Sequence, residues 1–260
     1  MYLAKSIAAS GLRNQQMRID TIAHNIANAN THGYKNARLD FKDALYVAGI
    51  TPGPARSLEE SQQKGHGLMN MAITRDFKPG PMERTERELD FAIEGEGFFS
   101  LSDPHGDVVY TRSGVFFRSV EANGIFLVNG QGLYVLDENG GRIQLPFETS
   151  KIEADVDGTL RFLDMNNNQL GQARLGIFTF RNIKGLETVG GGNFAPSPAA
   201  GQRFQVNDNI TLRQGVLEGS NLNLAEEMTR VIRTQRAFQL ASRALTTADE
   251  MQGIANNMRR

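Results

Sequence analysis

The chain has 260 residues, with 28 Lys and Arg against 29 Asp and Glu, for a formal net charge of -1. That length permits a sizeable core, and the balanced charge gives no global attraction to nucleic acid or anionic lipid. The absence of Cys removes disulfides, thiolate nucleophiles and Cys-based metal sites, and the 27 Gly are the one mild compositional excess.

At the N-terminus, Lys5, Ser6, Arg13, Asn14 and the Gln15-Gln16 pair interrupt every apolar stretch that a cleavable secretion signal would need. No run approaches the roughly 18 apolar residues of a membrane span. Within residues 3–28, Ala8, Leu12, Gln15, Ile19, Ile22 and Ile26 recur at alternating spacings of four and three. This predicts a helix about 39 Å long with one apolar stripe, interrupted only by Gln15. It should stop in Asn28-Ala29-Asn30-Thr31-His32-Gly33, where Asn and Thr compete with helical hydrogen bonding and Gly33 can take a positive φ.

Residues 42–88 read as an extended linker or assembly arm with room for short strands, broken at Pro52-Gly53-Pro54 and Gly80-Pro81, with a polar stretch from Glu59 to Gly67. From residue 89 the period changes to two. Leu89 to Ile93, Val108 to Tyr110, Val115 to Phe117, Ile125 to Val128 and Leu133 to Leu136 are strand candidates. Lys151 to Ala154, Thr159 to Leu163 and Ala173 to Phe180 continue the series, with glycines at the intervening turns.

The C-terminal signal is a long helix. Asn223 reads as its N-cap, Glu226 falls at the capping-box position, and Leu224, Met228, Val231, Gln235, Phe238, Ala241, Leu245, Ala248, Gln252 and Ala255 recur every three or four residues. A helix of roughly 33 residues far exceeds the usual 11–12 and calls for a long partner surface. The expected fold class is mainly β. An antiparallel body, 89–214, is inserted between terminal helices that pair as a coiled-coil-like assembly domain built from 1–41 and 215–260.

Chemical motifs are sparse. Asp155-Val156-Asp157-Gly158-Thr159-Leu160 has the order of an aspartate-nucleophile loop in Mg²⁺-dependent phosphatases. Such a loop needs a buried strand of a parallel sheet, whereas Asp-Gly between short antiparallel strands favours a turn. Gly95-Glu96-Gly97-Phe98-Phe99-Ser100 begins like a dinucleotide loop but has Ser where the third Gly belongs, and no βαβ unit follows, so a bulge or tight bend is expected. His24, His32, His66 and His105 offer no metal-ligand spacing. Arg230, Arg233, Arg236 and Arg243 share their helix with Glu226, Glu227, Asp249 and Glu250 and lack an aromatic platform, which reads as solvated or intersubunit charge and not as a nucleic-acid face. No catalytic residue, cofactor or metal is expected.

Four blocks carry a resemblance. Gly11-Leu12-Arg13-Asn14-Gln15-Gln16 and Ile22-Ala23-His24-Asn25-Ile26-Ala27-Asn28-Ala29-Asn30-Thr31-His32-Gly33-Tyr34-Lys35 resemble the N-terminal signature of bacterial flagellar rod and hook proteins. Asn25, Asn28, Thr31, Gly33, Tyr34 and Lys35 match its roles, while His24 and His32 stand where another polar residue is more common. Leu89 to Phe99 and Tyr110-Thr111-Arg112-Ser113-Gly114 look like the corresponding central segments. Gln214 to Met228, Thr234-Gln235-Arg236-Ala237-Phe238 and Asp249-Glu250-Met251 look like the C-terminal one, and the length is similar to that of rod members of this family and not of the larger hook members.

The resemblance implies export by the flagellar type III apparatus without signal cleavage. It further implies a helical homo-oligomer contacting proximal rod and hook subunits and the surrounding ring proteins, located in the basal-body rod that crosses the periplasm. Leu12, Ile19, Ile22, Ile26, Leu224, Met228, Val231, Phe238 and Leu245 are the expected assembly residues. Asn25, Asn28 and Gly33 are added by the match.

Overall fold

The computed structural model describes residues 2–43, 46–48, 63–65, 68–206 and 210–258. The chain forms two compact units. The first is drawn from Met1–Ala27, Ala37–Asp76 and Asn223–Arg260, the second from Asn28–Asn36 and Phe77–Leu222.

In the first unit, helix α1 (Tyr2–Ala27) and helix α2 (Leu224–Asn257) pack together. Asn223 caps α2 by accepting a hydrogen bond from the Glu226 amide at 3.3 Å. The helices run antiparallel, since Asn25 near the end of α1 meets Glu227 in the first turn of α2 and Gln15 and Arg18 share a cleft with Thr234 and Ala237. Along α2, Glu227, Val231, Thr234, Phe238, Ala241, Leu245, Ala248 and Gln252 form a covered or half-covered line, flanked by half-covered Arg230, Ala237 and Ser242. The spacing of that line alternates four and three, the repeat that keeps one seam facing a partner helix. The same unit holds an antiparallel hairpin of Ala37–Asp43 with Leu68–Arg75, whose register shifts between Asp40 and Phe41. Tyr46–Ala48 pairs with Gln63–Gly65, so paired strands occur within the stretch expected to be an extended arm. The Pro52-Gly53-Pro54 break lies outside the described residues, as does most of the polar stretch from Glu59 to Gly67.

The second unit is the β body. Its 10-stranded sheet runs, in spatial order, through Gln144–Leu145, Gly124–Asn129, Tyr134–Val135, Phe98–Ser102, Val108–Thr111, Asn193–Pro196 and Leu186–Gly190, with Phe116–Glu121, Ile177–Phe180 and Arg203–Gln205 attached at its sides. Lys151–Ala154, Thr159–Leu163 and Gln169–Arg174 form a three-stranded sheet. Two short pairs close the body, Thr211–Gln214 with Phe91–Glu94 and Val216–Glu218 with Met82–Arg84. Among the described residues every strand pairing is antiparallel.

One core gathers Phe91, Ile93, Phe99, Leu101, Phe116, Leu127, Val135, Ile152, Leu160, Phe162 and Ile177. A second gathers Phe98, Tyr110, Phe178, Phe180, Leu186 and Phe194, with Tyr110 edge-on to Phe180 at 4.8 Å and Phe98 edge-on to Phe194 at 5.8 Å. Each such side chain taken from water contributes about 1.5–3 kcal/mol, and the edge-on contacts add to that. The Ala173 to Phe180 run is two strands and not one. The break falls at Leu175-Gly176, between Gln169–Arg174 and Ile177–Phe180, where the Gly176 backbone packs so closely that a side chain would collide with Ser100 and with the Asp137 carbonyl. Among the described residues no helix is long and apolar enough to cross a membrane.

Candidate functional site

In the helical unit the polar residues of the seam are tied to backbone. The Asn25 side chain donates to the Ala37 carbonyl at 2.8 Å and accepts from the Ala37 amide at 3.0 Å. It thereby completes both backbone groups of the first residue of the hairpin, as a neighbouring strand would. Its amide also reaches Glu227 Oε2 at 3.4 Å. Both side chains are almost fully buried. Glu227 is neutralised from the other side by Arg230, which donates to it at 2.6 Å and to Glu226 at 2.5 Å. Arg230 is therefore engaged within its own helix, which interrupts the basic row noted along α2.

The expected assembly residues divide by exposure. Ile22 is buried, while Leu12, Ile19, Ile26, Val231, Phe238 and Leu245 are half-buried. Leu224 and Met228 face outward, 43% and 51% exposed. Asn28 and Gly33 belong to the β unit. Asn28 holds the turn after α1, its side chain accepting from the Thr31 hydroxyl at 3.2 Å. Gly33 has φ +69, and a Cβ there would stand 2.5 Å from the Ser113 backbone nitrogen, so only glycine fits.

The densest polar arrangement lies inside the β unit around Glu218, at the end of the Val216–Glu218 strand. Lys35 Nζ lies 2.6 Å from Glu218 Oε1, and Arg112 Nε lies 3.0 Å from Oε2. All three side chains are at least 97% buried, with exposures of 0%, 3% and 1% for Lys35, Arg112 and Glu218. Two cations face one carboxylate, and backbone carbonyls make up the difference. Lys35 donates to the Lys78 carbonyl at 2.7 Å, while Arg112 donates to those of Gly97 at 2.5 Å and Gly95 at 2.9 Å. The Gly95-Glu96-Gly97 bend is thus a carbonyl cradle for a guanidinium. Burial pulls the Arg112 pKa down, and the charge of Glu218 opposes that shift. Glu218 Oε1 accepts in addition from the Gly80 amide at 2.9 Å, and its main-chain carbonyl accepts from the Gly33 amide at 2.7 Å.

Asn221 extends the cluster. Its side chain accepts from the Asn36 amide at 2.8 Å and donates to the Lys78 carbonyl at 3.1 Å, and its own amide donates to the Tyr34 carbonyl at 3.4 Å. The Lys35, Arg112 and Glu218 side chains at the centre are internal and tie segments of the chain to one another, while the Asn221 edge is half-buried.

The matching families are described as flagellar basal body rod protein over residues 6–35, flagellar hook protein FlgE/F/G D1 domain over 92–162, and flagellar basal body rod FlgEFG protein C-terminal over 213–258. The chain is 37% identical to the flagellar basal-body rod protein FlgG of Borreliella burgdorferi over 265 residues, covering 97% of each chain. It is 34% identical to the protein of the same name in Bacillus subtilis, covering 96% of this chain and 97% of that one. It is also 32% identical to the flagellar hook-basal body complex protein FlhP of B. subtilis, covering 99% and 100%. The chain belongs to the flagellar basal-body rod and hook family. Within it the chain is of the FlgG rod type, a structural subunit.

Family membership gives the buried cluster a further meaning. Lys35, Arg112 and Glu218 come one each from the three matched segments, so the separate family signatures meet in space at one carboxylate. All three lie in the blocks of resemblance, where Lys35 matches a signature position, but nothing in the sequence pairs them with one another. The available signal was a charge within two residues of a glycine in Gly33-Tyr34-Lys35, Arg112-Ser113-Gly114 and Glu218-Gly219. Glu227, which the sequence shows only as one of the acids beside the arginine row of α2, is in fact buried against Asn25.

The phosphatase alternative fails on geometry. Asp155 to Gly158 connect two antiparallel strands. The Gly158 amide donates to the Asp155 carbonyl at 3.1 Å, and Gly158 has φ +90. Asp157 accepts from the Thr159 amide at 3.0 Å, and Asp155 pairs with Arg161. These carboxylates are occupied in closing a hairpin. Among the described residues no group of three His, Cys, Asp or Glu side chains is placed to hold a metal ion.

Proposed function

We propose that the chain is a subunit of the distal rod, polymerising through α1 and α2 into a tube that transmits motor torque and encloses the export channel. The supporting observation is the outward side of α2. Leu224, Met228, Ile232, Leu240, Met251, Ile254 and Met258 are exposed there, although the opposite side of the helix is already packed against α1. Apolar area left open on a helix with one satisfied face is what a further copy of the chain would cover, at about 25 cal/mol per Å² and against the entropy of ordering.

In this reading residues 1–41 and 215–260 act as the assembly domain, with Leu12, Ile19, Ile22, Ile26, Val231, Phe238 and Leu245 shaping it and Leu224 and Met228 meeting the neighbour. Residues 42–88 act as an arm between subunits, and 89–214 as the outer body. Proximal rod and hook subunits would adjoin the polymer at its ends, ring proteins would surround it, and the flagellar type III apparatus would export the chain without cleavage.

Imaging of isolated basal bodies with the chain labelled tests the assignment. Label along the distal rod is expected. Label confined to the proximal rod or the hook would move the chain to a paralogue's place, and its absence from basal bodies would sink the reading altogether.

A further inference from the structure

The chain passes between its two units at four places, after Ala27, Asn36, Asp76 and Leu222. Within the β unit these passages belong to three segments, Asn28–Asn36, the beginning of Phe77–Leu222 and its end. All three converge on Glu218. The first reaches it through Lys35 Nζ and the Gly33 amide, and the second through the Gly80 amide. The third contains Glu218 itself. Asn221 repeats the same three-way tie by bonding Asn36, Lys78 and Tyr34, and the Gly219 amide donates to the Pro81 carbonyl at 2.8 Å. The fit is close, because a Cβ on Gly80 would overlap the Gly219 carbonyl.

We propose that these segments form one cooperative anchor with Glu218 at its centre, opening as a unit and independently of the β core behind it. Three physical features support this. The bonds cross between segments, so no segment can leave without orphaning buried polar groups on the other two. The central charges are internal, so loss of one partner leaves the others without water to replace it. The body strands Phe98–Ser102 and Val108–Thr111 hold each other by their own ladder and side-chain core, and their pairing does not pass through Glu218. Any force carried by the covalent chain then enters the β unit at a single reinforced patch and not at four separate tethers. The mechanical use of the anchor rests on the rod reading, whereas its cooperativity is a property of the subunit alone.

Hydrogen exchange on the full-length monomer tests it. The informative variant is Lys35→Met, because the Gly219 and Asn221 amides donate to the Pro81 and Tyr34 carbonyls and an ammonium group cannot accept from them. Cooperativity predicts that the Gly219 and Asn221 amides exchange at least ten-fold faster in this variant, together with those of Gly33, Asn36 and Gly80. The amides of Phe98–Ser102 should keep their wild-type rates. Asn221→Ala, made in a different segment, should release the same set. Acceleration confined to the substituted segment would overturn the proposal, and so would a uniform acceleration of the whole β unit or no change at all. None of these results depends on where in the flagellum the chain resides.

Discussion

Lys35 and Glu218 lie 183 residues apart in the chain, yet their charged atoms stand 2.6 Å apart with almost no solvent contact. Glu218 also serves Arg112. Replacing it by Gln keeps the shape but leaves two internal cations facing a neutral amide. Removal of one member of a buried charged set costs about 3–5 kcal/mol. Glu218→Gln is therefore expected to lower the free energy of opening of the segments around it, read from amide exchange at Gly33, Gly80 and Gly219, by that order, and by more than Lys35→Met, which leaves Glu218 with Arg112. Equal, small losses for both variants would mean that the charges are solvated in the folded chain.

Gly33 and Gly11 should respond oppositely to alanine. At Gly33 the backbone has φ +69 and the colliding atoms are themselves backbone, so nothing can rotate away. Gly33→Ala should cost more than about 1 kcal/mol. Gly11 lies inside α1 with nothing within 4 Å of a new Cβ. There alanine should stabilise the monomer by about 0.5–1 kcal/mol, through reduced freedom of the unfolded chain. Thermal denaturation of the two variants side by side decides the matter, and a stabilising Gly33→Ala would contradict the geometry described for the turn.

How far the fold could be read from the sequence depended on whether the holding forces were local. The terminal helices follow from spacing and a cap, and most strands from alternation between glycines, because these are properties of neighbouring residues. The inward line of α2 was less accessible. Apolar spacing draws it through Leu224 and Met228, whereas the covered line begins at Glu227 and passes through Thr234. Glu227 is turned inward by Asn25 and Arg230, and a hydrophobic pattern is blind to that pairing. The Glu218 cluster was less accessible still. Its members sit in segments where a charge close to a glycine reads as a solvated turn, and only the folded chain brings them within bonding distance.

The hairpin carboxylates predict an acid response. The Thr159 amide holds the Asp157 pKa below the ordinary carboxylate range, with burial opposing, and the Asn168 amide acts likewise on Asp164. A folded-state pKa below the unfolded one stabilises the hairpin fully above roughly pH 3.9. That contribution is lost as pH falls through the folded value. The Thr159 and Asn168 amide resonances should therefore move with titration midpoints below about 3.9. Midpoints at or above that figure would mean that neither carboxylate is held by its turn. Asp157→Asn should abolish the Thr159 titration while leaving that of Asn168 in place.

The two sides of α2 can be separated by equivalent substitutions. Phe238 is half-buried on the covered side, and Ile232 is 52% exposed on the other. An aspartate at Phe238 puts a charge into the contact with α1, where an unpaired charge is costly. Phe238→Asp should therefore reduce helix content in the monomer as well as polymerisation. An aspartate at Ile232 stays in water, so the monomer should keep its far-UV CD and its stability within about 0.5 kcal/mol. If a neighbouring copy covers that face, Ile232→Asp chains should nevertheless fail to enter the polymer, because the charge would be buried on association. Sedimentation of the assembled and free fractions measures both effects at once. Wild-type polymerisation by Ile232→Asp would show that this side of α2 remains in solvent, and the assembly surface would then have to be sought elsewhere on the subunit.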